Sequence, residues 1–203
     1  MRKIDFKSIA KKLEVEAKEV LPTFQKAVHS YSVLYAAIYE DGSFSTSCSS
    51  EFLRNANECF MLVSSTNNAG GCWYVLYYID DIGIPHSEGF IDGQWSIVVN
   101  DLGSGWNRRY GLFLRFQETE IARCEWKDSK SSENTFGEII RRYLAVRHCE
   151  TLDEAILSLK VIDLNTVVHH QADRIDYLNA YFSEEIKKYK GLLDELKVII
   201  DKK

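Results

Sequence analysis

Only two prolines, Pro22 and Pro85, and eleven glycines occur in the 203 residues. Collagen-like repeats and Pro- or Gly-rich low-complexity linkers are therefore excluded. The five cysteines, Cys48, Cys59, Cys72, Cys124 and Cys149, are odd in number, scattered and without a C-x-x-C spacing. They do not form the even framework of a small disulfide-stapled domain, and they read as reduced thiols of a cytoplasmic protein. Long hydrophobic runs are also missing. The best of them, Cys72 to Ile79, falls far short of the roughly 20 residues that cross a bilayer. The basic N-terminus has no apolar stretch behind it, so neither a signal peptide nor a membrane span is expected.

Positive charge is nearly absent from one third of the chain. Residues 31–104 carry nine acidic side chains against the single Arg54, a net charge of -8, whereas residues 1–30 are net +3 and residues 105–203 balance, for -5 in all. Phosphate binding needs Lys and Arg, so the acidic segment argues against nucleic acid as a partner. A basic protein is the natural complement.

The remaining composition, 45% hydrophobic and 27% charged, is that of a globular domain with a substantial core. Phe6, Ile9, Leu13, Ala17, Val20, Phe24 and Val28 recur in threes and fours, predicting an amphipathic helix that Pro22 interrupts. Tyr31 to Tyr39 is rich in aromatic and β-branched residues and ends at Glu40-Asp41-Gly42. With Phe44, Thr46 and Cys48 alternating after it, a β-hairpin is predicted. Phe52, Leu53, Ala56 and Phe60 suggest a helix capped by Ser49 or Ser50, the stretch from Ser64 to Gly71 reads as a loop, and Cys72 to Ile79 reads as a strand covered on both faces.

Strands are expected at Trp95 to Val99 and Tyr110 to Phe116, with Ile121 to Trp126 left open between strand and helix. Residues 127–134 form a polar connector, and the chain is helical over 135–203. Thr151 and Glu154 have the spacing of a capping box. From Asp173, read as an N-cap, the apolar positions run Ile175, Leu178, Phe182, Ile186, Tyr189, Leu193, Leu196 and Ile200. This stripe suits an ordinary packing helix or, as the alternative, a homodimer through 173–200. The expected architecture is a single α+β domain over 1–203, with a central, mostly antiparallel sheet, an N-terminal amphipathic helix and a helical C-terminal third.

No catalytic residue is assigned and no cofactor is implied. G-x-S-x-G is absent, Gly103-Ser104-Gly105 lacks the third glycine of a dinucleotide fingerprint, and no G-K-[ST] follows a glycine-rich loop. His169 and Asp173 share a helix face, but two ligands do not make a metal site. Arg108, Arg109, Arg115 and Arg123 alternate with Trp106, Tyr110, Phe113 and Phe116, the pattern of a strand with a basic polar face. An enzyme using His86, Glu88 and a distant cysteine or carboxylate stays open as a second class. The partner-binding candidates are Asp80, Asp81, Glu88, Asp92 and Asp101, with Trp95 and Trp106 as aromatic anchors, since aromatic side chains supply affinity and charge supplies steering.

The Lys/Glu-rich first helix, the segment Tyr31-Ser32-Val33-Leu34-Tyr35-Ala36-Ala37-Ile38-Tyr39-Glu40-Asp41-Gly42, a small-polar strand and a helix opening near Ser49 to Asn57 together resemble a family of bacterial domains found beside polymorphic toxins. The likeness covers the first third of the chain and departs from the family pattern in the tryptophan-containing segment expected after the second helix. It implies an immunity protein that binds and blocks a cognate toxin, with no catalytic residues to carry over; that the toxin domain is basic is the expectation drawn from the acidic segment.

Overall fold

A computed structural model of the chain describes residues 4–21, 30–66, 72–87, 89–103, 109–126 and 132–200. The chain divides into two compact units, residues 1–159 and 160–203. The fold is α+β with antiparallel strands throughout. Among the described residues no helix is long and apolar enough to cross a membrane.

In the first unit, α1 (Phe6–Val20) opens on Asp5, whose side chain accepts from the Ser8 amide and so satisfies a first-turn donor. The helix buries Phe6, Ala10, Leu13 and Ala17 against one face of a five-stranded sheet ordered β2-β1-β3-β4-β5. These strands are β1 (Ser30–Ile38), β2 (Phe44–Ser47), β3 (Glu58–Thr66), β4 (Cys72–Ile79) and β5 (Pro85–Ser87). Tyr35, Ala37, Cys59, Met61, Tyr77 and Ile79 meet α1, as the period of two requires. The opposite face carries one row across all five strands, Thr46, Ala36, Phe60, Tyr78 and His86.

Against that second face lie α2 (Ser132–Val146) and a three-stranded sheet, β6 (Trp95–Asp101), β7 (Tyr110–Phe116) and β8 (Thr119–Trp126). Phe60 stacks edge-on against Tyr143 of α2 at 5.6 Å, and Tyr74 meets Tyr110 and Trp126 at 4.7 and 5.2 Å. Gly89 joins the two sheets: its amide donates to the Leu76 carbonyl and its carbonyl accepts from the Ile97 amide.

The predicted hairpin is present, with Gly42 at φ +79° in the turn, and so are the strands at 95 and 110. Residues 119–126, which the pattern left undecided, are the third strand of the second sheet. The predicted helix from Ser49 is only a 3-10 turn over Ser50–Asn55, capped by Ser49, and Phe60 belongs to β3. Cys59 to Val63 is a continuous apolar run buried on both faces, and such a run has no period with which to separate strand from helix. β7 has no basic face: it is the middle strand, everything from Tyr110 to Phe116 but Arg115 is buried, and Arg123 pairs locally with Glu125 at 3.2 Å. The Pro22 break, residues 67–71 of the predicted Ser64–Gly71 loop and residues 127–131 of the connector lie outside the described residues; Ser64 to Thr66 are not loop but the paired end of β3, and Ser132 to Asn134 already belong to α2.

The helix α3 (Leu152–Ile200) begins on the predicted capping box: Glu154 N donates to Thr151 Oγ1, and Glu154 Oε2 accepts from the Thr151 and Glu150 amides. It runs through Asp173 without interruption, so Asp173 is an exposed mid-helix residue and not a cap. In the second unit, residues 160–192 of this helix leave nearly every side chain in water.

Candidate binding face

The β4–β5 turn is built by one carboxylate. Asp80 Oδ1 accepts from the Ile82 and Ile84 amides at 3.2 and 2.7 Å, and Oδ2 lies 3.0 Å from His86 Nε2. Burial pushes the Asp80 carboxyl up, but the His86 contact and the two amides outweigh it, and the group is held below its ordinary 3.8. The His86 ring stacks on Tyr78 at 5.8 Å. Beyond the turn, Gly83 lies against Ile4 and Ile9 at the start of α1, while Ile82 and Ile84 point outward, 67% and 49% exposed.

Asp92 organises the neighbouring loop in the same way, its Oδ1 accepting from the Gln94 and Trp95 amides, both at 2.7 Å. Asp101 Oδ1 accepts from the Gly103 amide. Three of the predicted acidic residues thus spend an oxygen on local backbone, as Asp does in Asx turns. Asp81 is exposed at the tip of its turn.

Trp95 is placed differently from the sequence expectation. It is 2% exposed, packed edge-on against Phe116 at 5.0 Å and Tyr143 at 6.4 Å, with no hydrogen-bond partner for Nε1. A tryptophan this deep anchors the core and not a partner. Glu88 and Trp106 lie outside the described residues.

The exposed aromatic of this region is Phe90, half out in water. It lines an open cleft of about 570 Å³ with Pro85, His86, Ser87, Ser96 and Val98. A second cleft of about 350 Å³ joins Phe90 to Asp92, Gln94 and Glu118. Ile82 and Ile84 are exposed in the turn that holds Asp80 and Asp81, while Phe90 shares its cleft with Asp92 and with Glu118, which stands at the exposed turn between β7 and β8. The sequence reading named Trp95, which is buried, and did not name Phe90, which is exposed. Phe90 stands alone between Gly89 and Ile91, with no pattern to separate it from a core residue.

No family model, no curated protein and no solved structure matches the chain.

Next to this face lies a polar cluster that fastens α2 to the sheet. Glu58 Oε2 accepts from the Tyr78 hydroxyl at 2.8 Å and Oε1 from Arg147 Nη1 at 3.0 Å, with the two charged side chains only 12% and 20% exposed. Burial first, and the Glu58 charge second, push the Tyr78 and Tyr143 phenols up. Among the described residues no hydrogen bond joins His86 to Ser87 or Ser96 in its cleft, and no group of three His, Cys, Asp or Glu side chains is placed to hold a metal ion.

Proposed function

We propose that this chain is a cytoplasmic binding module that captures a basic protein, in the manner of an immunity protein neutralising a toxin domain, through the face formed by the β4–β5 turn and the 89–94 loop. The observation that carries this reading is the exposure of Ile82, Ile84 and Phe90 among carboxylates. Apolar side chains that a monomer leaves in water, rimmed by charge of one sign, have the make-up of a recognition surface: the apolar centre supplies affinity, and the rim steers a partner of opposite sign. The net charge of -8 over residues 31–104 extends that field beyond the rim. The resemblance of the first third to toxin-associated immunity domains points to the same class of partner.

The test is co-expression with the protein encoded beside it, followed by affinity measurements on variants chosen to spare the turns. Asp80 and Asp92 hold backbone amides, so reversing them would damage the fold. Asp81 and Glu118 are exposed, and no described hydrogen bond uses their side chains. Phe90→Ser is expected to weaken the complex at least tenfold, about 1.4 kcal/mol or more, as loss of an interface aromatic does. Asp81→Lys with Glu118→Lys should slow association and flatten its dependence on salt. A partner bound equally well by all three proteins would remove this face from the proposal.

A further inference from the structure

The exposed surface of α3 has a pattern that the binding face does not use. Val161, Leu164, Val168, Ile175, Leu178, Phe182, Ile186 and Tyr189 are between 39% and 64% exposed, and each is separated from the next by three, four or seven residues. Written as heptads, Val161, Val168, Ile175 and Phe182 take position a, while Leu164, Gln171 and Leu178 take position d. The step of four from Phe182 to Ile186 is a stutter, after which Ile186 and Tyr189 resume a and d. The helix continues back from Asp173 to Leu152 without a break, so the stripe is longer than the sequence pattern first marked.

We propose that α3 is a self-association helix whose occupant is a second copy of this chain, wound as a parallel, in-register, two-stranded coiled coil. Three features select that occupant. Val161, Val168 and Ile175 at a, with Leu164 and Leu178 at d, is the β-branched and leucine arrangement that favours two parallel strands. Gln171 is the one polar side chain in the seam; in register its amide faces its own copy and pairs, whereas a shifted or antiparallel alignment sets it against apolar neighbours. The flanking positions are compatible: Lys160 faces Asn165, Val167 faces Ala172, Arg174 faces Asn179, and after the stutter Glu185 of one copy faces Lys190 of the other. No like charges meet, and residues 160–203 carry eight basic and eight acidic side chains, so no net repulsion opposes pairing. Eight seam side chains and the flanking Val167, Tyr181 and Leu192, at roughly 80 Å² each, give on the order of 900 Å² per chain, comparable with the ~800 Å² per partner of a standard stable interface.

The test is the mass of the full chain in solution by light scattering over a range of concentrations. A species of twice 23.4 kDa is expected in the micromolar range, converted to monomer by Val168→Glu with Ile175→Glu. Those positions are exposed on the helix, so the circular dichroism of the variant should keep its strand and helix signals. Orientation is read by oxidation: Val168→Cys should give a disulfide-linked dimer well above the background of the native thiols, and Thr166→Cys, at outward position f, should not. A monomeric wild type at 100 µM overturns the proposal, as does a trimer, or a dimer in which Val168→Cys fails to cross-link. The binding face lies on other residues, so loss of the dimer with partner capture intact rejects this inference alone.

Discussion

At Gly89 a β-carbon would stand 2.0 Å from the Ile97 carbonyl oxygen and 2.7 Å from Leu76 Cδ2, at a backbone φ of +63°. The Leu76 methyl could turn aside, but the Ile97 carbonyl is backbone of a paired strand and cannot yield. Leu76 belongs to β4 and Ile97 to β6, and Gly89 donates to one carbonyl while accepting from the other strand's amide. Gly89→Ala is expected to cost about 3 kcal/mol, at the upper end of single-residue effects, because it adds left-handed strain to a clash with backbone. A urea midpoint within experimental error of the wild type would show that the two sheets are not joined this closely. Nothing in the sequence marks this glycine apart from the other ten, since what demands it is a crossing of two strands distant along the chain. The same holds for Trp95: its type suggested an anchor for a partner, and only the packing of Phe116 and Tyr143 around it shows that it anchors the core.

Between elements, the Glu58–Arg147 pair links the end of α2 to the first residue of β3, with Tyr78 of β4 as third member. Such a pair is weak support for stability as a whole, yet breaking it strands a largely buried charge. Arg147→Met is therefore expected to destabilise by about 2–3 kcal/mol, and adding Glu58→Gln should recover part of the loss. Additive effects in this double-mutant cycle would show that the two side chains act separately. Periodic elements were legible in the sequence: α1, the β1–β2 hairpin, β6, β7 and the α3 cap all follow from spacing and turn chemistry. The element taken for helix is β3, where Cys59 to Val63 is buried on both faces and shows no alternation, and the basic face expected of β7 is absent because Arg115 is the strand's single basic residue and the rest of it is packed inside. The continuity of α3 through Asp173 was missed because an aspartate before an apolar stripe looks like a cap, although in this helix the cap stands at Thr151.

For the molecule as a whole, acid should unfold the first unit. Burial raises the carboxyls of Asp80, Glu14 and Glu138, but His86 with two amides, Lys18 with Lys11, and Arg141 with Arg142 outweigh it in each case, so all three lie below their ordinary values in the folded chain. The unfolded chain then binds more protons than the folded one as the pH drops. The stability these groups contribute is present above about pH 4.5 and is lost as the pH falls through their lowered folded values. Denaturation midpoints measured between pH 6 and pH 3 should decline below about pH 4.5; a flat profile would mean that these contacts do not persist in solution.

The face around the β4–β5 turn has a more specific consequence, because Ile82, Ile84 and Phe90 are open to water in the free protein and covered in the proposed complex. Amide hydrogen exchange of the chain alone and bound to its basic partner reads this directly. Slowed exchange over residues 80–94 and the Gln117–Glu118 turn is the predicted result, with the α3 stripe unchanged by the partner. Protection confined to other segments, with 80–94 exchanging as in the free protein, would contradict the account.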